Sequence, residues 1–263
     1  MIVFVSNYFN HHQSALSDAF YRETNGNFLF IQTMPMEDER KKMGWEEKFP
    51  KYVKLSYLDN KAYEESVKII NNAEIVIAGS APEKMIRDRI RDNKLTFRYS
   101  ERIYKNKIKL CQLPLRYLKY HWDNFPNKNV YMLCASAYAA GDYAKTNNFI
   151  GKTYKWGYFP KVKVYENIDK LIQKKQTGSI LWVARLIECK HPEVPIQVAK
   201  KLKADGYSFT LRLIGNGILE DKIKNKIKSE GLENYIYMLG SMSPDMVRHY
   251  MEQSQIFLFT SDF

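Results

Sequence analysis

The sequence predicts an α/β protein made of two doubly wound domains, each built on a parallel sheet. Apolar segments of strand length alternate with helical segments across residues 1–159, and the same alternation restarts at Ser179. Such alternation is typical of doubly wound parallel sheets. Residues 160–178 are rich in Lys, Glu and Gln with weak periodicity, so we interpret them as a connection to a second domain at 179–263. A length of 263 residues suits two domains.

The first half contains short apolar runs bounded by polar loops, which is the pattern of buried strands. Apolar residues in 14–21 recur near every 3.6 positions, which predicts the first helix, and Asp59 or Asn60 suits the cap of a helix at 61–71. Residues 34–50 are polar and rich in turn signals, so we expect a loop there. Strands are predicted at 2–5, 28–31, 53–58, 74–78, 94–98, 130–134 and 154–159. Further helices are predicted at 83–92, at 105–121 with an interruption at Pro114, and at 135–146.

The second half repeats the alternation on a smaller scale. Its first strand is wholly apolar, which indicates a central position with both faces covered. Strands are predicted at 180–184, 209–214, 235–238 and 256–259, and helices at 192–204, 218–230 and 244–253. Four strands are few for a doubly wound domain, and the sequence ends directly after the last of them. We therefore expect the second domain to be incomplete.

The net charge of +12 is concentrated in one stretch. Residues 84–119 hold twelve Lys or Arg and three Asp or Glu, interleaved with Ile, Leu, Phe and Tyr. A basic face with apolar neighbours can bind anionic lipid headgroups, at roughly 1 kcal/mol per cation. It could also follow nucleic-acid phosphates, or consist of solvated side chains on ordinary helices. An anionic membrane surface is favoured and nucleic acid is the less favoured partner.

Several function classes are disfavoured by what the sequence lacks. The three cysteines are widely spaced without a CxxC pair, which indicates a reducing compartment and neither a disulfide framework nor a zinc site. No GxGxxG or GxxxxGK[ST] pattern occurs, which disfavours dinucleotide oxidoreductases and P-loop enzymes. No Asp-x-Asp occurs, so we expect no metal and no cofactor. With no secretory signal and no apolar stretch long enough to span a bilayer, we expect a cytoplasmic protein, or one peripheral on the inner face of the membrane.

Arg185 and Lys190 form the most informative pair of side chains. They follow the apolar strand 180–184, and ligands of open α/β sheets bind outside the carboxyl ends of the strands. Arg presents a planar fork to phosphate and Lys a mobile point charge. Together they suit a diphosphate that leaves during a reaction, although both could be merely solvated. Gly215 and Gly217 follow the next strand; their amides could approach phosphate closely, or they could form an ordinary tight turn.

In the first half, candidate side chains follow strands 2–5 and 94–98. Asn10, His11 and His12 lie in the loop after the first strand, where they could contact substrate hydroxyls or phosphate, or play a structural part. Glu101 lies between Arg98 and Arg102; it could bond sugar hydroxyls or orient an acceptor, or form a local ion pair of little energy. His12 and Glu101 are the candidate catalytic residues.

Taken as a set, the second-half motifs resemble the retaining family 4 glycosyltransferases of GT-B fold. The resemblance covers essentially all of 179–263, whereas the first half is similar in layout. It implies two Rossmann-like domains facing a cleft, and metal-independent transfer of a sugar from a nucleotide-diphosphate donor with retention. The motifs are Val183-Ala184-Arg185-Leu186 with Lys190, Leu213-Ile214-Gly215-Asn216-Gly217, Leu239-Gly240-Ser241-Met242, and Ile256 to Ser261.

The same resemblance implies roles for particular residues. Arg185 and Lys190 match the family's diphosphate-binding pair, with Gly215 and Gly217 as its second glycine turn. The loop that meets the nucleobase corresponds to Gly240, Ser241, Met242 and Ser243. Asn10, His11 and His12 stand where the family usually has glycines near the donor phosphate.

The function implied is a hexosyltransferase-type enzyme that uses a UDP- or GDP-sugar. Its expected acceptor is lipid-linked or saccharide, in the synthesis of a surface polysaccharide or lipopolysaccharide. The family places two glutamates eight positions apart after the motif that here reads Thr260-Ser261-Asp262-Phe263, and the sequence holds neither. We therefore expect a fragment with little activity, or alternatively a non-catalytic nucleotide-binding or scaffold remnant of the same fold.

Overall fold

The fold is described from a computed structural model, which covers residues 1–42, 49–104 and 110–262, without the side chains of Glu39, Lys42 and Leu110. The chain divides into two compact units. The first comprises Met1–Met36 and Glu47–Val162, and the second comprises Glu37–Glu46 and Lys163–Phe263.

The first unit is built on a seven-stranded parallel sheet. The strand order is β3-β2-β1-β4-β5-β6-β7, so β1 lies beside both β2 and β4 near the centre. Four residues of β1 and three of β4 are buried, as the mainly apolar sequences of these strands predict. The strands are β1 Ile2–Ser6, β2 Phe28–Gln32, β3 Val53–Leu55, β4 Ile75–Ala78, β5 Thr96–Ser100, β6 Val130–Cys134 and β7 Thr153–Lys155.

Helices of the first unit pack on the sheet through apolar and aromatic clusters. One cluster joins β1 and β4 to the helix that carries Met85, Ile86 and Ile90, and another consists mainly of aromatic rings around Phe4 and Phe30. A short 3-10 helix at Leu110–Gln112 precedes α5. The helices of this unit are α1 Ser14–Glu23, α3 Asn60–Asn72, α4 Glu83–Arg91, α5 Leu113–Asn124 and α6 Ala139–Ala144, whereas α2 Asp38–Lys42 belongs to the second unit.

Local sequence signals account for several helix ends. Asp59 caps α3, because its side chain accepts a hydrogen bond from the backbone N–H of Ala62 at 2.7 Å. Pro114 lies in the first turn of α5 rather than interrupting a longer helix, and there its missing N–H costs nothing. The predicted helix at 105–121 therefore begins at Leu113, and its residues 105–109 lie outside the described part of the chain. Within the predicted loop 34–50, Asp38–Lys42 form a helical turn.

The second unit is built on a four-stranded parallel sheet of order β10-β9-β8-β11. Its core includes Trp182 of β8, Leu211 and Leu213 of β9, and Ile223 of α9. The strands are β8 Gln176–Val183, β9 Thr210–Ile214, β10 Ile236–Met238 and β11 Ser254–Leu258. The helices are α7 Ile168–Gln173, α8 Glu193–Ala204, α9 Glu220–Ser229 and α10 Pro244–Gln253.

The segment predicted as a connection, 160–178, contains regular structure. α7 begins at Ile168, with the side chain of Asn167 accepting from the N–H of Lys170, and β8 begins at Gln176. The weak periodicity of the sequence follows from the short length of α7 and from its lack of buried residues. Both units are α/β with parallel sheets, which confirms the predicted fold class.

Candidate functional site

Four loops of the second unit lie along one edge of its sheet. Because all four strands are parallel, their carboxyl ends meet at that edge, where ligands of open α/β sheets bind. Arg185 follows β8, Gly215 follows β9, Gly240 follows β10 and Thr260 follows β11. The structure thus brings the predicted residues of the second half to one edge.

Arg185 is exposed on the loop between β8 and α8, two residues beyond Val183, the last residue of β8. Among the described residues, its guanidinium has no hydrogen-bond or ion-pair partner. Lys190 ends a short 3-10 helix on the same loop, and its ammonium group is likewise without a partner in the described part of the chain. Two unneutralised cations on one strand-end loop are suited to an anionic ligand.

The loop that carries Arg185 is held by the neighbouring loop after β9. The N–H of Leu186 donates to the carbonyl of Asn216 at 2.8 Å, and the N–H of Leu219 donates back to the carbonyl of Leu186 at 3.0 Å. The Leu186 side chain is buried in the core of the unit. Arg185 therefore projects from a backbone that is fixed on both sides, which limits the entropy lost when its side chain binds a ligand.

The two glycines after β9 are required by this close loop packing. A Cβ on Gly215 would lie 1.9 Å from the carbonyl oxygen of Ala184, and one on Gly217 would lie 2.4 Å from that of Leu186. Gly215 also has a φ of +136°, which is open to glycine. These contacts explain the glycines without any ligand, so their predicted approach to phosphate stays a prediction.

The loop after β10 extends the same network. The carbonyl of Gly240 accepts from the N–H of Gly215 at 2.8 Å, while Gly240 itself has a φ of +70°. The hydroxyl of Ser243 caps α10 by accepting from the N–H of Met246 at 3.4 Å, which is a structural part for that predicted residue. Ser241 and Met242 are half-buried, and the Ser241 hydroxyl has no partner among the described residues.

The loop after β11 fastens the backbone around Lys190. The indole N–H of Trp182 donates to the Thr260 hydroxyl at 2.9 Å, and that hydroxyl donates to the Lys190 carbonyl at 2.6 Å. The His191 ring contacts Asp262 at 2.7 Å and Glu193 at 3.0 Å. Hydrogen bonds to Asp262, which has the larger effect, and to Glu193 raise the pKa of His191. Sequence reasoning missed His191, because its left-handed backbone and its distant partner at position 262 leave no local signal.

In the first unit, Asn10, His11 and His12 lie in the loop between β1 and α1. The side-chain oxygen of Asn10 accepts from the N–H of His12 at 2.9 Å, and the two imidazole centroids are 4.0 Å apart. Burial, with the neighbouring His12 second, lowers the pKa of His11 from 6.5 to about 4. His11 is therefore neutral near pH 7, so it can form hydrogen bonds but supplies no positive charge to a phosphate.

The other catalytic candidate, Glu101, follows β5 at the same edge of the first sheet. Burial and the nearby Glu101 raise the pKa of Tyr99 to about 12. β4 lies between β1 and β5, so the strand ends that carry His12 and Glu101 are roughly 10 Å apart. Arg102, beside Glu101, pairs with the buried Asp142 at 3.1 Å. No group of three or more His, Cys, Asp or Glu in the described ranges could hold a metal ion.

The fold of the chain is that of GT-B glycosyltransferases. The Anabaena protein Alr3699/HepE, solved in complex with UDP, has a TM-score of 0.66 at 12% identity, covering 100% of this chain and 74% of that one. A glycosyltransferase from Rickettsia africae has a TM-score of 0.63 at 16% identity, covering 99% of this chain and 72% of that one.

Sequence comparison relates the second unit to a family within this fold. Residues 164–263 match the family model of the glycosyl transferases group 1. The amylovoran biosynthesis glycosyltransferase AmsK of Erwinia amylovora is 35% identical over 82 residues, covering 31% of this chain and 20% of that protein. The putative colanic acid biosynthesis glycosyltransferase WcaL of Salmonella typhimurium is 34% identical over 79 residues, covering 30% of this chain and 20% of its own length.

Proposed function

We propose that the chain acts as a GT-B glycosyltransferase that transfers a sugar from a nucleotide-diphosphate donor to a saccharide or lipid-linked acceptor. The observation that carries this proposal is the pair formed by the exposed Arg185 and the half-buried Lys190, whose charged groups have no partner among the described residues, at the sheet edge of a unit that matches the group 1 family. The relatives in amylovoran and colanic acid synthesis support a surface polysaccharide as the product. A place at the inner face of the membrane belongs to the same proposal.

The two cations would act on the leaving group. During transfer the bond between the anomeric carbon and the phosphate oxygen breaks. The acceptor hydroxyl oxygen bonds to the anomeric carbon, and its proton passes to the departing diphosphate or to a proposed base. Negative charge then grows on the diphosphate. Arg185 can bind two phosphate oxygens with its planar fork, and Lys190 can neutralise a further oxygen. We propose retention of anomeric configuration and no metal, following the resemblance to family 4.

Other residues complete the proposal. Gly240, Ser241, Met242 and Ser243 would meet the nucleobase, with UDP favoured by the UDP complexes among the structural neighbours. Gly215 and Gly217 would act by holding the loop of Arg185. In the first unit, Asn10, His11 and His12 would contact donor or acceptor. His12 and Glu101 are the proposed proton-handling or orienting groups.

Calorimetric titration of the full chain with UDP and GDP tests the donor site. Arg185→Ala and Lys190→Ala should each weaken UDP binding roughly 10- to 100-fold, because each removes charge-assisted hydrogen bonds. Lys228→Ala, at an exposed site near the end of α9, is the matched control and should bind like the parent. UDP affinity that is unchanged by Arg185→Ala would contradict the proposal.

A second measurement separates catalysis from binding. Release of UDP from UDP-sugars, with and without saccharide acceptors, should be slow in the parent chain and lost in Arg185→Ala. Binding of UDP without hydrolysis or transfer would instead support a non-catalytic nucleotide-binding protein of the same fold. Tight polynucleotide binding that is steeply salt-dependent and indifferent to Arg185→Ala would favour a nucleic-acid function.

A further inference from the structure

The solvent-facing side of α5 is apolar. Leu115, Leu118 and Trp122 are exposed at 69%, 61% and 73%, and their spacing of three and four residues places them on one stripe. Phe125, directly after the helix, is 61% exposed. The opposite side of α5 faces the protein, with Asn124 buried and Tyr120 in contact with Tyr143. Large contiguous apolar patches on a surface mark interaction sites.

Free cations flank this stripe. Arg87 and Arg91 of α4 line a groove with Trp122 and Phe125, and both are exposed and without a partner in the described part of the chain. The acidic groups of the groove are already neutralised, since Glu83 pairs with Arg98 at 2.7 Å and Asp123 pairs with Lys119. The groove therefore carries positive charge and lies beside the apolar stripe.

Several other cations of the basic stretch 84–119 do not contribute to this surface. Arg89 is fully buried, and its guanidinium donates to four backbone carbonyls and to Thr96. Arg98 and Arg102 pair with carboxylates, and Lys94 pairs with Asp92 at 3.4 Å. Fewer cations of this stretch therefore contribute to the surface than the sequence predicts, and exposed apolar side chains characterise it as much as the cations do.

We propose that this α5 face, formed by Leu115, Leu118, Trp122 and Phe125 with Arg87 and Arg91, docks on an anionic phospholipid bilayer. The helix has 12 residues, about 18 Å in length, so it would lie in the interface, since the hydrocarbon core is about 30 Å thick. Leucines insert into acyl chains, Trp122 suits the headgroup level, and the two arginines meet anionic headgroups. This proposal deepens the proposed function, because it names the surface that would bring the first unit to a lipid-linked acceptor.

The chemistry of the stripe favours lipid over nucleic acid. Nucleic-acid surfaces combine cations with aromatic rings on which bases stack. Here the stripe is partly aliphatic, and leucine side chains have no aromatic ring on which a base could stack. Binding of polynucleotide through the same residues is therefore an outcome that would count against the proposal.

Flotation of the full chain with vesicles tests the docking surface. The chain should float with phosphatidylcholine vesicles that contain phosphatidylglycerol and much less with phosphatidylcholine alone. Arg87→Gln with Arg91→Gln should weaken partitioning roughly 25-fold, because each cation contributes about a factor of five. Leu115→Ser with Leu118→Ser and Trp122→Ser should weaken it by about a hundred-fold or more.

Control variants remove equal charge, or similarly exposed apolar side chains, elsewhere. Lys222→Gln with Lys228→Gln lies on α9, and Leu58→Ser with Ile150→Ser replaces side chains exposed at 65% and 62%. Both controls should float like the parent. Three outcomes would each overturn the proposal. The first is a parent that does not float with the vesicles, and the second is a loss of flotation in the controls as large as in the α5-face variants. The third is a parent that binds polynucleotide in a way that the same variants abolish.

UDP titration of the same variants separates this proposal from the proposed function. The substituted side chains are exposed and belong to the first unit, so UDP affinity and the circular dichroism spectrum should stay those of the parent. Flotation lost with UDP binding retained supports the docking surface. Flotation retained in the triple variant overturns it, whatever the outcome for UDP.

Discussion

Gly215 leaves no space for a side chain, because the carbonyl oxygen of Ala184 occupies the position that a Cβ would take. Gly215→Ala should therefore destabilise the second unit by about 3 kcal/mol or more and weaken UDP binding. Gly141→Ala is the matched control, since Gly141 is helical with open space around it and should gain about 0.5 to 1 kcal/mol. Thermal unfolding followed by circular dichroism measures both, and a Gly215→Ala protein as stable as the parent would contradict the close loop packing.

The lowered pKa of His11 makes a prediction for acid stability. The folded state holds His11 neutral down to about pH 4, whereas the unfolded chain takes up the proton near 6.5. The unfolded state thus binds more protons in this window, so the contribution to stability is complete above 6.5 and is lost as the pH falls toward 4. In His11→Gln, the free energy of unfolding measured with urea should vary less with pH between 6.5 and 4 than in the parent.

NMR titration of the imidazole protons checks the same point directly. The His11 ring should titrate with a pKa of about 4, well below its ordinary value of 6.5. A His11 resonance that titrates at the ordinary value would remove the burial argument and leave a charged group available to phosphate.

At the scale of elements, Arg89 joins α3, α4, β4 and β5. Its guanidinium donates to the carbonyls of Ile70, Ala73, Glu74 and Leu95 at 2.6 to 2.9 Å. Burial lowers its pKa to about 10, so it stays charged near pH 7. Arg89→Met should cost about 3 to 5 kcal/mol, because the buried carbonyls would lose their donors. Arg91→Met, two residues on and exposed, should change unfolding by less than about 0.5 kcal/mol, and equal effects would refute the buried network.

Sequence reasoning located elements by their apolar period and failed where long-range contacts decide. The central strands β1, β4 and β8 were predictable because burial on both faces leaves a continuous apolar run. Arg89 was interpreted as part of a basic surface, since the sequence does not show which carbonyls surround a side chain. β7 is shorter than predicted, at Thr153–Lys155, because residues beyond it leave the edge of the sheet.

The residues of the candidate site also differ in how much of their part the sequence shows. Arg185 and Lys190 were predicted as a diphosphate-binding pair from their place after an apolar strand, and this role stays a prediction; the structure leaves both side chains without partners among the described residues. The reason for Gly215 and Gly217 was not predictable, because it lies in the backbone of the loop after β8. Ser243 was predicted to face a nucleobase, and its hydroxyl caps α10.

At the scale of the whole molecule, the two proposed surfaces belong to different units. The second unit carries the residues proposed for donor binding along one sheet edge, and the first carries the α5 face. Among the described residues no helix combines the length and the apolar character needed to cross a bilayer. Because the proposed lipid-docking and donor-binding residues lie in different units, substitutions should affect them separately, and the vesicle and UDP experiments test this.

The backbone bonds from Leu186 to Asn216 and from Gly215 to Gly240 tie three successive strand-end loops together. Substitutions in these loops should therefore be epistatic. If the loop after β10 meets the nucleobase as proposed, a change there that alters base preference should shift the backbone after β9 and, through it, Arg185 after β8. Variants of this unit selected for a new donor should accumulate paired changes in neighbouring loops.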